Sequence, residues 1–205
     1  MLLEIHPQNP EERKLKQVVK CLMDGGVIIF PTDTIYAVGC LLTKSKALER
    51  VARIKGVKPN KANFSLICSS LSYITDYVKN PDNHTFKVMK RALPGPYTFI
   101  LHAGNKIPKF FNNNRKEVGI RVPDHRVPLL LVEMCGCPLV ATSIKDEDQV
   151  VEYTTDPELI HERLGKEVDL VIHSGFGHNI ASTIIDCTGD TPVVTREGMG
   201  TIHVL

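Results

Sequence analysis

Two hydroxyls flank a carboxylate at Thr32-Asp33-Thr34, directly after the apolar run Val27-Ile28-Ile29-Phe30-Pro31. A strand buried on both faces reads as such a run, and a proline that cannot donate to a ladder ends it. The polar triplet therefore falls at a strand's carboxyl end, where open α/β sheets place their ligands. The same residues also fit a polar turn between two core strands. Arg121, flanked by Ile120 and Val122, needs an anionic partner if it faces a cleft. Arg196 stands just outside another apolar segment, before Glu197-Gly198. Thr98 follows Leu93-Pro94-Gly95-Pro96-Tyr97, and Thr142-Ser143 ends the run that begins at Leu139. Lys55-Gly56-Val57-Lys58-Pro59-Asn60-Lys61 gathers three lysines at a helix end. Cations there suit the helix dipole as a solvated cap, and they also suit a nucleoside triphosphate. Hydroxyls, two arginines and lysines converging from strand ends describe a concave site for an anionic substrate.

Other chemistries lack their signatures. The sequence has no G-x-x-x-x-G-K-[ST], no G-x-G-x-x-G opening a helix and no H-E-x-x-H, and its histidines lack metal-ligand spacing. Ser143 sits in no G-x-S-x-G elbow. Cations and hydroxyls without a nucleophile point to catalysis by positioning and charge stabilisation, as in phosphoryl or nucleotidyl transfer.

The elements that must position these groups alternate along the chain. Glu11 to Met23 repeats Leu15, Val18, Val19 and Leu22 at helical spacing, and Gly25-Gly26 stops it. Further helices are expected over Ser45 to Ile54 with Ser45 as N-cap, Ser70 to Val78, Asn83 to Ala92, Val127 to Met134 and Pro157 to Leu164. Strands are expected at Phe64 to Cys68, Tyr97 to His102, Gly119 to Pro123, Leu139 to Ser143, Val168 to His173, Ser182 to Cys187 and Val193-Val194. One α/β domain accounts for this alternation.

Composition narrows the class. A length of 205 residues with 42% hydrophobic and 23% charged side chains suits one globular core. A net charge of +2 is too small to make the whole chain a polyanion binder, so local clusters carry any such role. Six cysteines without C-x-x-C pairing are expected as free, buried thiols. No signal-like N-terminus and no run near the roughly 18 apolar residues of a span is present, so a cytoplasmic protein without membrane contact is expected.

Six ordered motifs carry a family resemblance: Gly25 to Gly39, Pro94-Gly95-Pro96-Tyr97-Thr98, Gly119-Ile120-Arg121-Val122-Pro123, Thr142-Ser143, Ala181 to Asp186, and Val194-Thr195-Arg196-Glu197-Gly198. Over about residues 10 to 200 the chain resembles the YrdC/YciO-like family. The resemblance implies a single-domain twisted, open, mixed α/β sheet with flanking helices and a large, positively charged cavity. It also implies an L-threonylcarbamoyladenylate synthase, forming threonylcarbamoyl-AMP and pyrophosphate from L-threonine, bicarbonate and ATP for tRNA modification. Mg2+ would enter with ATP as part of the substrate. By the same resemblance, Thr34, Arg121 and Ser182 bind L-threonine, while Lys55, Lys58, Thr98, Ser143 and Arg196 bind the nucleotide.

This chain departs from the family pattern on the nucleotide side. The family's K-x-R becomes Lys55-Gly56-Val57-Lys58, its S-x-N becomes Ser143-Ile144-Lys145, and Cys68 stands where a histidine is usual. Lysine cannot reproduce a bidentate guanidinium fork. The pattern resembles the YciO-type branch, which implies an alternative: a protein binding double-stranded RNA or nucleotide, with weak synthase activity or acting on already modified tRNA.

Overall fold

A computed structural model of the chain describes residues 1–58, 64–108, 116–144 and 154–204. Helix α1 (Glu12–Met23) buries Leu15, Val18 and Leu22, the positions that its spacing places on one face. It ends where Gly25 adopts a φ of 88°, a left-handed turn that suits glycine. Strands β1 (Leu2–Glu4), β2 (Ile28–Phe30) and β3 (Ala37–Leu41) precede α2 (Ser45–Ile54), which buries Ala47, Leu48, Val51 and Ala52. Next come β4 (Ser65–Ile67), the single turn α3 (Leu71–Ile74), α4 (Asn83–Ala92), β5 (Tyr97–His102) and β6 (Glu117–Arg121). The chain continues through α5 (Arg126–Cys135), β7 (Leu139–Ser143), α6 (Pro157–Leu164), β8 (Leu170–His173), β9 (Thr183–Asp186) and β10 (Val193–Arg196).

Among the described residues these strands form one sheet in the order β1-β8-β2-β3-β7-β4-β6-β5-β9-β10. Its pairings are mixed: β4 runs parallel to β6 and β5 to β9, whereas β3, β7 and β4 alternate in direction. This is a single mixed α/β domain with a large twisted sheet flanked by helices. One face packs against α2 and α4 through Val38, Cys40, Leu66, Phe99, Ile120, Val140 and Ile185. The other face is divided. Its β8-β2-β3-β7 half presents Ile172, Ile28, Phe30, Leu41 and Leu139 to α1 and α5. Its β4-β6-β5-β9 half instead carries Ser65, Gly119, Thr98 and Ser182, and these line a cavity.

Several expectations change. Lys44, not Ser45, takes the N-cap position of α2, and no side chain caps that end. The helix expected over Ser70 to Val78 shrinks to α3, capped where Ser70 Oγ accepts from the Tyr73 amide. Strand β1 is unanticipated, its three residues being too short to show a period. Ala37 and Gly39 belong to the fully buried β3, and Ala37 also lines the cavity described below. A Cβ on Gly39 would strike the Val140 carbonyl oxygen of the neighbouring strand and crowd Phe30. The smallness serves strand packing. Of the cysteines, all free, only Cys40 and Cys68 are buried outright. No described helix is long and apolar enough to cross a membrane.

Candidate active site

The cavity has a volume of about 460 Å³ and is floored by the half of the sheet face that α1 and α5 leave uncovered. Its lining follows the two-residue period of each strand: Ser65 and Ile67, Thr98 and Ile100, Glu117, Gly119 and Arg121, Ser182, Ile184 and Asp186. Gly119 keeps the floor low. A Cβ there would stand 2.8 Å from Ser65 Oγ and 3.3 Å from Thr98 Cγ2.

At one end stands Arg121, 8% exposed, at the last position of β6. Its Nη2 donates to Asp33 Oδ1 at 2.8 Å and to Thr34 Oγ1 at 3.0 Å. The hydroxyls behind it have a fixed direction. Thr32 Oγ1 donates to the Ile35 carbonyl at 2.8 Å and accepts from the Thr34 amide at 3.0 Å. Its single proton is thereby used, so in the 3.1 Å contact between the two hydroxyls Thr34 is the donor. Thr34 thus turns acceptor lone pairs toward the guanidinium. Asp33 Oδ2 accepts from the Asp124 amide at 3.0 Å, tying the β2–β3 turn to the segment after β6. Burial pushes Arg121 below the usual arginine range, and Asp33 opposes that shift. Among the described residues, Arg121 Nε is buried without any hydrogen-bond partner. A buried donor left unpaired costs about 1–3 kcal/mol, more when charged, so the guanidinium is held here at some cost in stability.

A second cluster lies across β5, β9 and β10. Thr98 Oγ1 and Ser182 Oγ are 2.8 Å apart. Arg196 donates from Nη2 and Nε to the Ser182 carbonyl at 2.8 and 3.2 Å. The direction of Arg196 comes from a β-bulge. Val194 opposes Ile185 on the helix-covered face, and Arg196 opposes Ile184 on the cavity face, with Thr195 inserted between them. Without that extra residue, Arg196 would share Val194's side of the sheet. Burial lowers the Arg196 pKa, and its charge in turn pushes Arg121 down, so the two clusters sense one another.

The structure therefore gathers Thr34, Arg121, Ser182, Thr98, Ser143 and Arg196 around one cavity. Ser182 stands with Thr98 and Arg196 rather than with Thr34 and Arg121. Lys55 is not among the lining side chains; its Nζ donates to the Ser143 carbonyl at 2.9 Å. Lys58 is exposed and is not among the residues that line the cavity. Lys61 and Lys145 lie outside the described residues. Arg121 and Arg196 are matched among the lining by Glu117 and Asp186. Sequence reasoning missed Ser65, Glu117 and Asp186, although their alternation with apolar neighbours inside short strands was the available signal. Among the described residues no three His, Cys, Asp or Glu side chains gather as a metal site.

A nine-residue strap, 174–182, joins β8 to β9, which stand near opposite ends of the strand order. The Tyr36 hydroxyl donates to the Gly175 carbonyl at 2.7 Å, and the His178 amide donates to the Thr34 carbonyl at 3.0 Å. A family model described as telomere recombination, Sua5/YciO/YrdC, matches residues 20–198. The chain belongs to the Sua5/YciO/YrdC family. YciO of Escherichia coli is 42% identical over 200 residues, 97% of this chain and 95% of that one. Its crystal structure matches with a TM-score of 0.92 over 100% of this chain and 98% of that chain, at 41% identity. The threonylcarbamoyl-AMP synthase of Chromobacterium violaceum is 32% identical over 137 residues, 67% of this chain and 70% of that one. The fold also matches Pyrococcus abyssi Sua5 complexed with L-threonine, with a TM-score of 0.86 at 24% identity over 97% of this chain and 57% of that one.

Proposed function

We propose that this member of the Sua5/YciO/YrdC family is an L-threonylcarbamoyladenylate synthase. The carrying observation is buried Arg121 in the wall of a cavity, held by Asp33 beside the oriented Thr34 hydroxyl. An amino-acid carboxylate pairs with that guanidinium, and Thr34 fixes the amino acid alongside it. The second cluster, Thr98, Ser182 and Arg196, takes the nucleotide, with Ser143 on the same wall. Mg2+ arrives with ATP. The reaction needs no protein nucleophile: the threonine amine and bicarbonate give a carbamate with loss of water, and its oxygen bonds to the α-phosphorus of ATP. The bond to the β-phosphate breaks, and pyrophosphate leaves. Holding the two substrates in one dry hollow is the contribution asked of the protein. The name of the Chromobacterium relative supports this reading, as does the L-threonine in Pyrococcus Sua5.

One observation favours a second reading. On the nucleotide side Lys55 donates to the Ser143 carbonyl and Lys58 is exposed outside the lining, so Arg196 is the cation that lines this end among the described residues. A relative that binds RNA or nucleotide, with weak synthase activity or acting on already modified tRNA, would need less there. Purified protein with L-threonine, bicarbonate and ATP decides between them. Threonine-dependent release of pyrophosphate is the expected result. Release unchanged by threonine, with salt-sensitive binding of tRNA, would replace the first reading by the second.

A further inference from the structure

We propose that Asp33 is the positioning residue for Arg121, and that its carboxylate decides which guanidinium donor is left for the ligand. The inference rests on the reading above in taking Arg121 as the anion anchor. Both Asp33 oxygens are committed to the chain around β6: Oδ1 to Arg121 Nη2 at 2.8 Å and Oδ2 to the Asp124 amide at 3.0 Å. The Arg121–Asp33 pair is nearly dry, with side chains 10% and 9% exposed, so water competes little for this contact. Thr34 Oγ1 takes the other Nη2 proton, and that nitrogen is saturated. Nε is the donor left buried and unpaired. Strands alone would not impose this. Arg121 leaves β6, Asp33 leaves β2, and β3, β7 and β4 stand between them in the sheet. The carboxylate thus reaches across the mouth and holds the guanidinium so that Nη2 faces the turn, Nε is shut inside the wall, and Nη1 is the nitrogen left for an incoming acceptor.

The chemistry requires a carboxylate at this position. Both partners of Asp33 are donors, whereas an asparagine side chain carries one acceptor oxygen and one donor nitrogen. The substitution Asp33→Asn would therefore leave either Arg121 or the Asp124 amide facing an N–H group. A glutamate keeps two acceptors but displaces them by one methylene.

The test reads position and binding separately. The Nε–H signal of Arg121 in a 15N–1H spectrum, assigned by its loss in Arg121→Lys, should be distinct and slow to exchange in the unaltered protein. Asp33→Asn should move it toward the signals of exposed arginines. In the pyrophosphate assay the same variant should raise the KM for L-threonine roughly tenfold or more, as loss of an orienting partner does, with kcat and the KM for ATP almost unchanged. Asp33→Glu should give a smaller change in both readouts, and it carries the comparison if the asparagine variant fails to fold. An Arg121 signal and threonine KM unchanged in both variants would overturn the proposal, as would equal rises in the two Michaelis constants. If threonine elicits no pyrophosphate from the unaltered protein, the synthase reading fails, while the Nε–H comparison still decides the role of Asp33.

Discussion

Arg121 binds through geometry as well as charge. A buried guanidinium paired with Asp33 and Thr34 keeps its shape because each neighbour accepts from a defined nitrogen. Replacing it by alanine would strand the Asp33 carboxylate, and breaking a buried pair from one side costs about 3–5 kcal/mol. Arg121→Lys is the better probe, since it retains a charge for Asp33 but removes the planar fork. We expect this variant to fold and to need at least about tenfold more L-threonine for half-maximal pyrophosphate release. A threonine requirement equal to that of the unaltered protein would show that Arg121 acts as a point charge or not at all. The sequence already marked Arg121, because an arginine between isoleucine and valine demands an explanation. Asp33 was visible only as part of a polar triplet, since its partner lies 88 positions away in the chain.

At the scale of elements, most helices and strands follow from apolar period. Tyr97–His102, Leu139–Ser143 and Pro157–Leu164 lie where the sequence places them. What periodicity could not carry was the fate of short or doubly buried segments. Strand β3 is buried on both faces, so it shows no alternation. The bulge that turns Arg196 into the cavity is equally silent in sequence, because an extra residue changes the facing of a strand without changing its composition. Helix α5 offers a testable device of this scale. His125 Nδ1 accepts from the Val127 amide and so caps the helix with a neutral ring. Burial lowers the His125 pKa, opposed by the charges of Asp33 and Asp124. The folded pKa therefore lies below the unfolded value of about 6.5, and the unfolded chain binds the proton first. The contribution to stability is full above about pH 6.5 and is lost as the pH falls through the folded pKa. His125→Asn, whose oxygen accepts the same bond without titrating, should flatten the dependence of Tm on pH below about 6.5. A variant with the same pH slope as the parent would show that the cap does not titrate.

The whole molecule explains why one face of one sheet serves two purposes. Helices α1 and α5 cover its β8-β2-β3-β7 half with apolar contacts, and the uncovered half becomes the cavity, with its polar side chains on the same period. Closure comes from the strap at 174–182 and from the bonds between the β2–β3 turn and Arg121. These long-range ties bring together residues that sequence order scatters from 34 to 196. Motif order suggested their meeting; only the fold supplies it. Lys58 shows the reverse, a residue of fitting type and sequence position that the α2 terminus leaves facing solvent.

The central claim is that this hollow recognises an amino acid by its carboxylate through Arg121. Calorimetric titration of the intact protein with L-threonine and with L-threoninol, which has a hydroxymethyl group in place of the carboxylate, tests it most directly. The account predicts saturable binding of L-threonine at one site per chain and an affinity for L-threoninol weaker by roughly tenfold or more, because the Arg121 guanidinium then loses its anionic ligand. Equal affinity for the two compounds, or no heat of binding for L-threonine, would contradict it.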